Sequence, residues 1–164
     1  MQVKTIGDAY IACAGAFPVL NLDGEEVNEE AEISAERAVH LALAMQQAVF
    51  DKSVSSSVEI AARIGLHTGM VMGGIIGTVR FHFDMWGTGV KGAMYLEEHG
   101  MAQRVHAPTT TAALRGEHFE TQRSMSMPPE IVKKLGIRHS VVLSHKGGGG
   151  EGRGGEGGAS HGRL

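Results

Sequence analysis

The chain has 164 residues, of which 42% are hydrophobic, and this is enough for one globular domain with a buried core. Its net charge of -3 and its pI near 6.3 provide no basic footprint, so we expect no binding to nucleic acid or to an anionic membrane surface. No apolar run approaches the roughly 18 residues of a membrane span, so we expect no direct membrane insertion by this chain.

The chain opens with two short apolar runs, residues 3–6 and 9–14, on either side of Gly7-Asp8. This pattern predicts a β-hairpin closed by a tight turn. Asp8 suits the turn, because its side chain can bond the local backbone. It also suits a metal site, because a carboxylate on a rigid hairpin can offer oxygens to a hard cation. The residues by themselves favour the turn and leave the metal role open. Cys13, the single cysteine, lies in the apolar pattern and is expected to be a buried structural thiol.

A helix is predicted from Ile33 to about Asp51, with Ser34 as its N-cap, because apolar residues recur there at helical spacing. The segment from Val58 to Leu66 alternates as a strand does. Met70 to Ile76 is predicted to be its antiparallel neighbour.

Asp84 stands in the middle of a predicted strand from Phe81 to Trp86. A carboxylate at the centre of a strand needs an explanation, although a solvent-facing one would be neutral, so both readings stay open. The following segment, Gly89 to His99, has a helical pattern and is expected to end at Gly100 as a C-cap.

The remaining pattern predicts a short strand, a short helix and two final strands joined by a segment with two prolines and two lysines. The short strand is Val105–Ala107, and the short helix runs from Pro108 to about Leu114. The final strands are Phe119–Arg123 and Ser140–Ser144, and the segment that joins them contains Pro128-Pro129 and Lys133-Lys134. The order predicts an α/β (α+β) fold, a ferredoxin-like sandwich with helices on one face of the sheet. Residues 1–145 are expected to form this domain, and residues 146–164 a disordered glycine-rich tail.

Several blocks of this sequence resemble the class III nucleotidyl cyclase catalytic domain, the fold of adenylate and guanylate cyclases. They are Val-Lys-Thr-Ile-Gly-Asp-Ala-Tyr at 3–10, Ala-Arg-Ile-Gly-Leu-His-Thr-Gly at 62–69, Gly-Gly-Ile-Ile-Gly-Thr at 73–78 and Phe-Asp-Met-Trp-Gly at 83–87. They follow the order and about the spacing of the family, and the resemblance covers roughly residues 2–145.

The resemblance implies conversion of ATP to 3′,5′-cyclic AMP and pyrophosphate with Mg²⁺ or Mn²⁺ as cofactor. It implies that Asp8 is one metal ligand. The other metal aspartate of the family has no counterpart, because the chain begins at the hairpin. We therefore expect the N-terminal part of the domain to be missing and the isolated chain to be inactive. The chain would be part of a longer cyclase, a truncated form, or a half that has lost catalysis.

The resemblance also implies that Lys4 and Asp84 read the purine base, and Lys with Asp favours adenine over guanine. Lys4 could instead be an exposed lysine at a strand end, and a guanylate cyclase remains the alternative. Lys133 falls where the family has a lysine that contacts the triphosphate, although a slip of one residue would exchange it for Lys134.

Lys91 and Tyr95 occupy the helix positions where the family usually has Asn and Arg. Lys91 is a doubtful substitute for the Asn, and Tyr95 cannot replace a guanidinium. Because such cyclase domains pair head to tail, we expect a second cyclase domain as partner. The alternative is a non-catalytic half that dimerises and regulates through bound nucleotide. We expect a cytoplasmic location and leave open attachment to a membrane through other regions of a larger protein.

Overall fold

The computed structural model describes residues 1–20, 22–27, 29–114 and 119–145. Its elements, in chain order, are β1 (Gln2–Ile6), β2 (Ala9–Ala12), β3 (Val19–Leu20), β4 (Glu26–Val27), α1 (Ala31–Ser56), β5 (Arg63–Gly65), β6 (Met72–Ile76), β7 (His82–Trp86), α2 (Thr88–Glu98), β8 (Arg104–Pro108), α3 (Thr109–Ala113), β9 (Phe119–Ser126), α4 (Pro129–Leu135) and β10 (His139–His145). The predicted tail at 146–164 lies outside the described residues. Within the described part, no helix is both long enough and apolar enough to cross a membrane.

The core is built on a four-stranded sheet with the order β5-β8-β10-β9. β5 runs parallel to β8, and the other two pairs are antiparallel. Buried side chains of α1, α3, β8, β9 and β10 form one apolar cluster, which contains Val39, Ala42, Leu43, Val105, Ala107, Ala112, Phe119, Val141 and Leu143. This arrangement confirms the predicted mixed fold of helices packed on a largely antiparallel sheet.

The helix α2 covers the opposite face of this sheet from α1. Ile64 and Leu66 pack against the apolar cluster, so Gly65 between them points to the other face. A Cβ atom at Gly65 would collide with the backbone of α2 at Ala93. The prediction that the helices lie on one face is therefore wrong for α2, because β5 is covered on both of its faces.

Three strand pairs among the described residues form separate two-stranded sheets, namely β1 with β2, β3 with β4 and β6 with β7. β1 pairs with β2 across Gly7-Asp8, as predicted, and Gly7 has a φ of 60°. β6 pairs with β7, so the prediction that it pairs with the segment 58–66 is wrong. Only Arg63–Gly65 of that segment forms a strand, β5, and this strand pairs in parallel with β8. The short connection between β6 and β7 favours the local hairpin.

The helix boundaries differ from the predicted ones. Ser34 lies inside α1 and donates its hydroxyl to Oε2 of Glu29 at 2.6 Å, so it is not the N-cap; that position belongs to Glu30. α2 ends at Glu98 with His99 as its C-cap, so Gly100 is not the cap. The segment with Pro128-Pro129 forms α4, and Gly136 in the left-handed conformation is its C-cap.

Candidate active site

Lys4 on β1 and Asp84 on β7 form an ion pair. Nζ of Lys4 lies 2.6 Å from Oδ1 of Asp84, and the two side chains are 30% and 20% exposed. The same oxygen accepts a hydrogen bond from the N–H of Met85 at 2.6 Å. The Lys4 ammonium, and after it the Met85 N–H, lower the pKa of Asp84, so its carboxylate is charged at neutral pH. The two residues predicted to read the base therefore meet.

Contacts between the segment that follows the first hairpin and β7 help to bring together two residues so distant in sequence. The rings of Phe17 and Phe83 lie with their centroids 5.4 Å apart. Sγ of Cys13 lies 3.4 Å from Sδ of the buried Met85. The Cys13 thiol is half-buried and not fully buried as expected, and this burial raises its pKa.

Trp86 is a neighbour of the ion pair that the sequence analysis did not single out. Asp84 and Trp86 are two positions apart on β7, so their side chains share one face. Gly74 lies opposite Asp84 in the ladder, and a Cβ atom there would come within 3.4 Å of the indole. The indole, on a residue that is 40% exposed, therefore lies over a position without a side chain. The alternation of Asp and Trp in a strand is the signal that could have identified it.

Asp8 lies exposed in the turn of the first hairpin, next to a glycine in the left-handed region. Its carboxylate is the kind of hard oxygen donor that Mg²⁺ and Mn²⁺ prefer. Among the described residues, however, no cluster of three or more His, Cys, Asp or Glu side chains could hold a metal ion. Asp8 is therefore not part of such a cluster within the described part of the chain.

An open cleft of about 210 Å³ separates α2 from α4. Lys91 and Tyr95 line it from α2, and Lys134 lines it from α4. The Tyr95 ring stacks on that of His99, with centroids 4.1 Å apart. The structure therefore brings Lys91 and Lys134 to one cleft, whereas Lys133 is exposed on α4 and is not among the lining residues.

The sequence matches the adenylate and guanylate cyclase catalytic domain family over residues 1–138. Guanylate cyclase soluble subunit beta-2 of Rattus norvegicus is 34% identical over 126 residues, which are 74% of this chain and 17% of the rat protein. The germination-specific adenylate cyclase of Dictyostelium discoideum is 33% identical over 120 residues, which are 72% of this chain and 13% of that protein. The chain therefore spans a small part of the length of these relatives.

A solved structure with the same fold is the guanylate cyclase domain of RhGC from Catenaria anguillulae in complex with GTP. It superposes with a TM-score of 0.66 at 25% identity, covering 88% of this chain and 72% of that domain. The ordered blocks, the fold and the family match agree with one another. This chain belongs to the adenylate and guanylate cyclase catalytic domain family.

Proposed function

We propose that this chain acts as one half of a dimeric cyclase that converts ATP to 3′,5′-cyclic AMP and pyrophosphate. The observation that carries the choice of ATP is the ion pair between Lys4 and Asp84. In the reaction, the ribose 3′-hydroxyl loses its proton and attacks the α-phosphorus, and the bond to pyrophosphate breaks.

The ion pair supports ATP because its two partners match the edge of adenine. The Lys4 ammonium can donate to N1, and the Asp84 carboxylate can accept from the exocyclic amino group. Guanine has the opposite polarity at both positions, so binding it would leave the partly buried Lys4 and Asp84 without matching hydrogen-bond partners. The indole of Trp86 offers an adjacent flat surface for a purine ring.

Lys91 and Lys134 are proposed to face the phosphates from the cleft between α2 and α4. An ammonium serves there as a flexible point charge. Tyr95 supplies no positive charge, so the chain lacks the arginine that the resemblance implies for the transition state. Lys133 stays a prediction as the alternative phosphate contact. A partner domain that brings the Asn and Arg would complete a second site to which this chain contributes Asp8.

Asp8 would hold Mg²⁺ or Mn²⁺ together with a carboxylate from outside the described residues. The metal ions, when bound, neutralise charge on the phosphates and on the leaving group. The residues of this chain orient the base and position the triphosphate, which brings the hydroxyl into line with the phosphorus.

The partner is proposed to be a second cyclase domain, and an apolar surface supports this. The β6–β7 hairpin and its connection expose large apolar side chains, namely Met72, Ile75, Ile76, Val79 and Phe81. Such a contiguous exposed group is typical of a protein interface. A cytoplasmic location is proposed because ATP is abundant there, and attachment to a membrane through other regions is compatible with it.

A non-catalytic regulatory half is the second candidate, and the residues Lys91 and Tyr95 favour it. This half would bind ATP between Lys4 and Asp84 and act through dimerisation. It would need no metal ligand from the turn, so Asp8 distinguishes the two candidates.

The test combines this chain with a cyclase domain that carries both metal aspartates, the Asn and the Arg, and measures cyclic AMP and cyclic GMP with Mn²⁺ and each nucleotide. We expect cyclic AMP from the site that Lys4 and Asp84 line. We expect Asp8→Asn to lower the product of the second site, to which Asp8 belongs, by about 100-fold or more, and a partner whose own metal aspartates are replaced by Asn isolates that second site. Asp51→Asn, an exposed change on α1, serves as the control. ATP binding without product, unaltered by Asp8→Asn, would overturn the catalytic proposal in favour of the regulatory one.

A further inference from the structure

Two histidines lie between α2 and the main sheet. His67 follows β5, and His106 belongs to β8, where it is the ladder partner of Gly65. The backbone N–H of Leu66 donates to the carbonyl of His106 at 2.8 Å. The two imidazoles therefore lie on adjacent parallel strands, on the face that α2 covers.

His106 contacts the chain just after the C-terminal end of α2 through a hydrogen bond and close packing. It is 1% exposed, and its Nε2 atom accepts a hydrogen bond from the N–H of Met101 at 3.1 Å. A Cβ atom at Gly100 would lie 3.2 Å from the imidazole, so the chain leaving α2 passes directly over the ring. A protonated imidazole donates from both nitrogens and cannot accept this bond. Protonation would therefore break this contact between Met101 and His106.

His67 supports the middle of α2. Its ring lies between Gly69 and Gly92, where added Cβ atoms would come within 2.8 Å and 2.6 Å of ring carbons. Its Nδ1 atom is buried and has no hydrogen-bond partner among the described residues. A charge on this ring would be desolvated without compensation, which is costly.

The ionisable groups on the neighbouring elements pair with other groups or lie toward the cleft, and His99 at the end of α2 stacks on Tyr95 with its Nδ1 3.0 Å from the Tyr95 carbonyl oxygen. Arg63 and Glu97 pair with each other at 2.9 Å. Lys91 and Glu98 line the cleft toward α4, and Arg104 donates to the carbonyl of the preceding residue. The buried residues of α1 are all apolar, and α3 contains no charged residue. Burial alone lowers the pKa of His67 and of His106, without a contribution from any charge.

We propose that His67 and His106 form an acid-sensitive latch, which holds α2 against β5 and β8 while both rings are neutral and releases it when either ring is protonated. α2 carries Lys91 and Tyr95 and begins shortly after Asp84. Release of the helix would therefore open the cleft with α4 and displace the end of β7. The latch is a property of the fold and holds whether or not the domain is catalytic.

The pH window follows from the direction of the two pKa shifts. An unfolded histidine titrates near pH 6.5, and burial lowers the folded-state pKa below this value. The neutral rings thus stabilise the fold fully above about pH 6.5, and this stabilisation is lost as the pH falls through the folded-state pKa. Between about pH 6.5 and the folded-state pKa, each ring that stays neutral in the fold raises the unfolding equilibrium constant by up to about tenfold for every unit by which the pH falls.

The first experiment measures unfolding by urea, followed by the fluorescence of Trp86, the one tryptophan of the chain, at about pH 7.5 and about pH 5.5. We expect the unfolding constant of the wild type to rise more on acidification than that of His67→Gln or His106→Gln, by up to about tenfold for each histidine removed. Glutamine does not titrate, and at position 106 its carbonyl can still accept from Met101. His139→Gln, at an exposed position of β10, should behave as the wild type does. If both test variants keep the pH dependence of the wild type, the latch is overturned.

A second experiment keeps the inference testable if His106→Gln fails to fold. Amide hydrogen exchange, corrected for the intrinsic effect of pH, is compared between α2 and α1 in the wild type and in His67→Gln. We expect α2 of the wild type to lose protection at the lower pH more than α1 does, and less so in the variant. Equal loss in the two helices would mean that acid unfolds the domain as a whole, and the latch would be rejected.

Discussion

The ion pair of Lys4 with Asp84 and the cleft between α2 and α4 are two polar regions that differ in how they match the family pattern. The ion pair retains both residue types and joins them at 2.6 Å. The rings of Phe17, which follows the first hairpin, and Phe83 on β7 are in contact nearby. The cleft is open, and Lys91 and Tyr95 stand where the resemblance implies Asn and Arg. The region proposed to read the base thus keeps both residue types, and the region proposed to face the phosphates is altered. This difference is the basis for proposing that two domains share the catalytic work.

The largest expected effect concerns the intact region. Exchanging Lys4→Glu together with Asp84→Cys, in the active heterodimer, reverses the polarity offered to the base. We expect the ratio of kcat/KM for ATP over that for GTP to fall by about 10³-fold, because the two proposed hydrogen bonds to the base change polarity. The measurement is the rate of each cyclic nucleotide as a function of substrate concentration.

Lys52→Glu, an exposed charge reversal on α1, is the matched control and should leave the ratio unchanged. If the double exchange also leaves the ratio unchanged, the ion pair does not read the base, and the contrast between the two regions disappears.

The altered region is tested by restoring the residues that the resemblance implies. The double variant Lys91→Asn with Tyr95→Arg should raise cyclic AMP formation at the site that this chain's α2 faces, by about 10²-fold, because a guanidinium is regained for the transition state. Tyr10→Arg, at an exposed tyrosine of β2, controls for the added charge. An unaltered rate in the double variant would show that the cleft takes no part in the reaction.

The smallest expected effect is on stability in acid. The pKa of Asp84 is lowered by Lys4 and by the Met85 N–H, so the charged pair stabilises the fold above the unfolded-state pKa near 3.9. This contribution is lost as the pH falls through the folded-state pKa. Asp84→Asn should therefore flatten the decline of Tm below about pH 4 and leave the histidine window near pH 6 unaltered. A wild-type decline in Asp84→Asn would mean that the pair contributes no stability.

Local patterns predicted most single elements correctly. The Gly7-Asp8 turn, the strand that carries Asp84 and the helix that follows it are encoded by short-range turn chemistry and periodicity. The wrong predictions concern which strands pair and where helices begin and end. The partner of β6 was wrong, because alternation in a segment indicates a strand without indicating its neighbour.

In the candidate site, too, residue types follow from the sequence, whereas contacts depend on tertiary packing. The residue types of Lys4 and Asp84 were evident from the sequence, whereas their 2.6 Å contact depends on how the first hairpin packs against β7. Lys133 and Lys134 cannot be told apart by sequence, since both are basic and adjacent. The orientation of α4 turns Lys134 to the cleft with Lys91.

The sequence by itself determined the family, the first hairpin and the departures from the family pattern at Lys91 and Tyr95, because these depend on residue identity and local spacing. Tertiary structure alone decided that α2 covers the far side of β5 and that His67 and His106 lie beneath α2. These features depend on contacts between elements far apart in the chain. Such contacts are selected by the burial of the whole core and leave no local pattern.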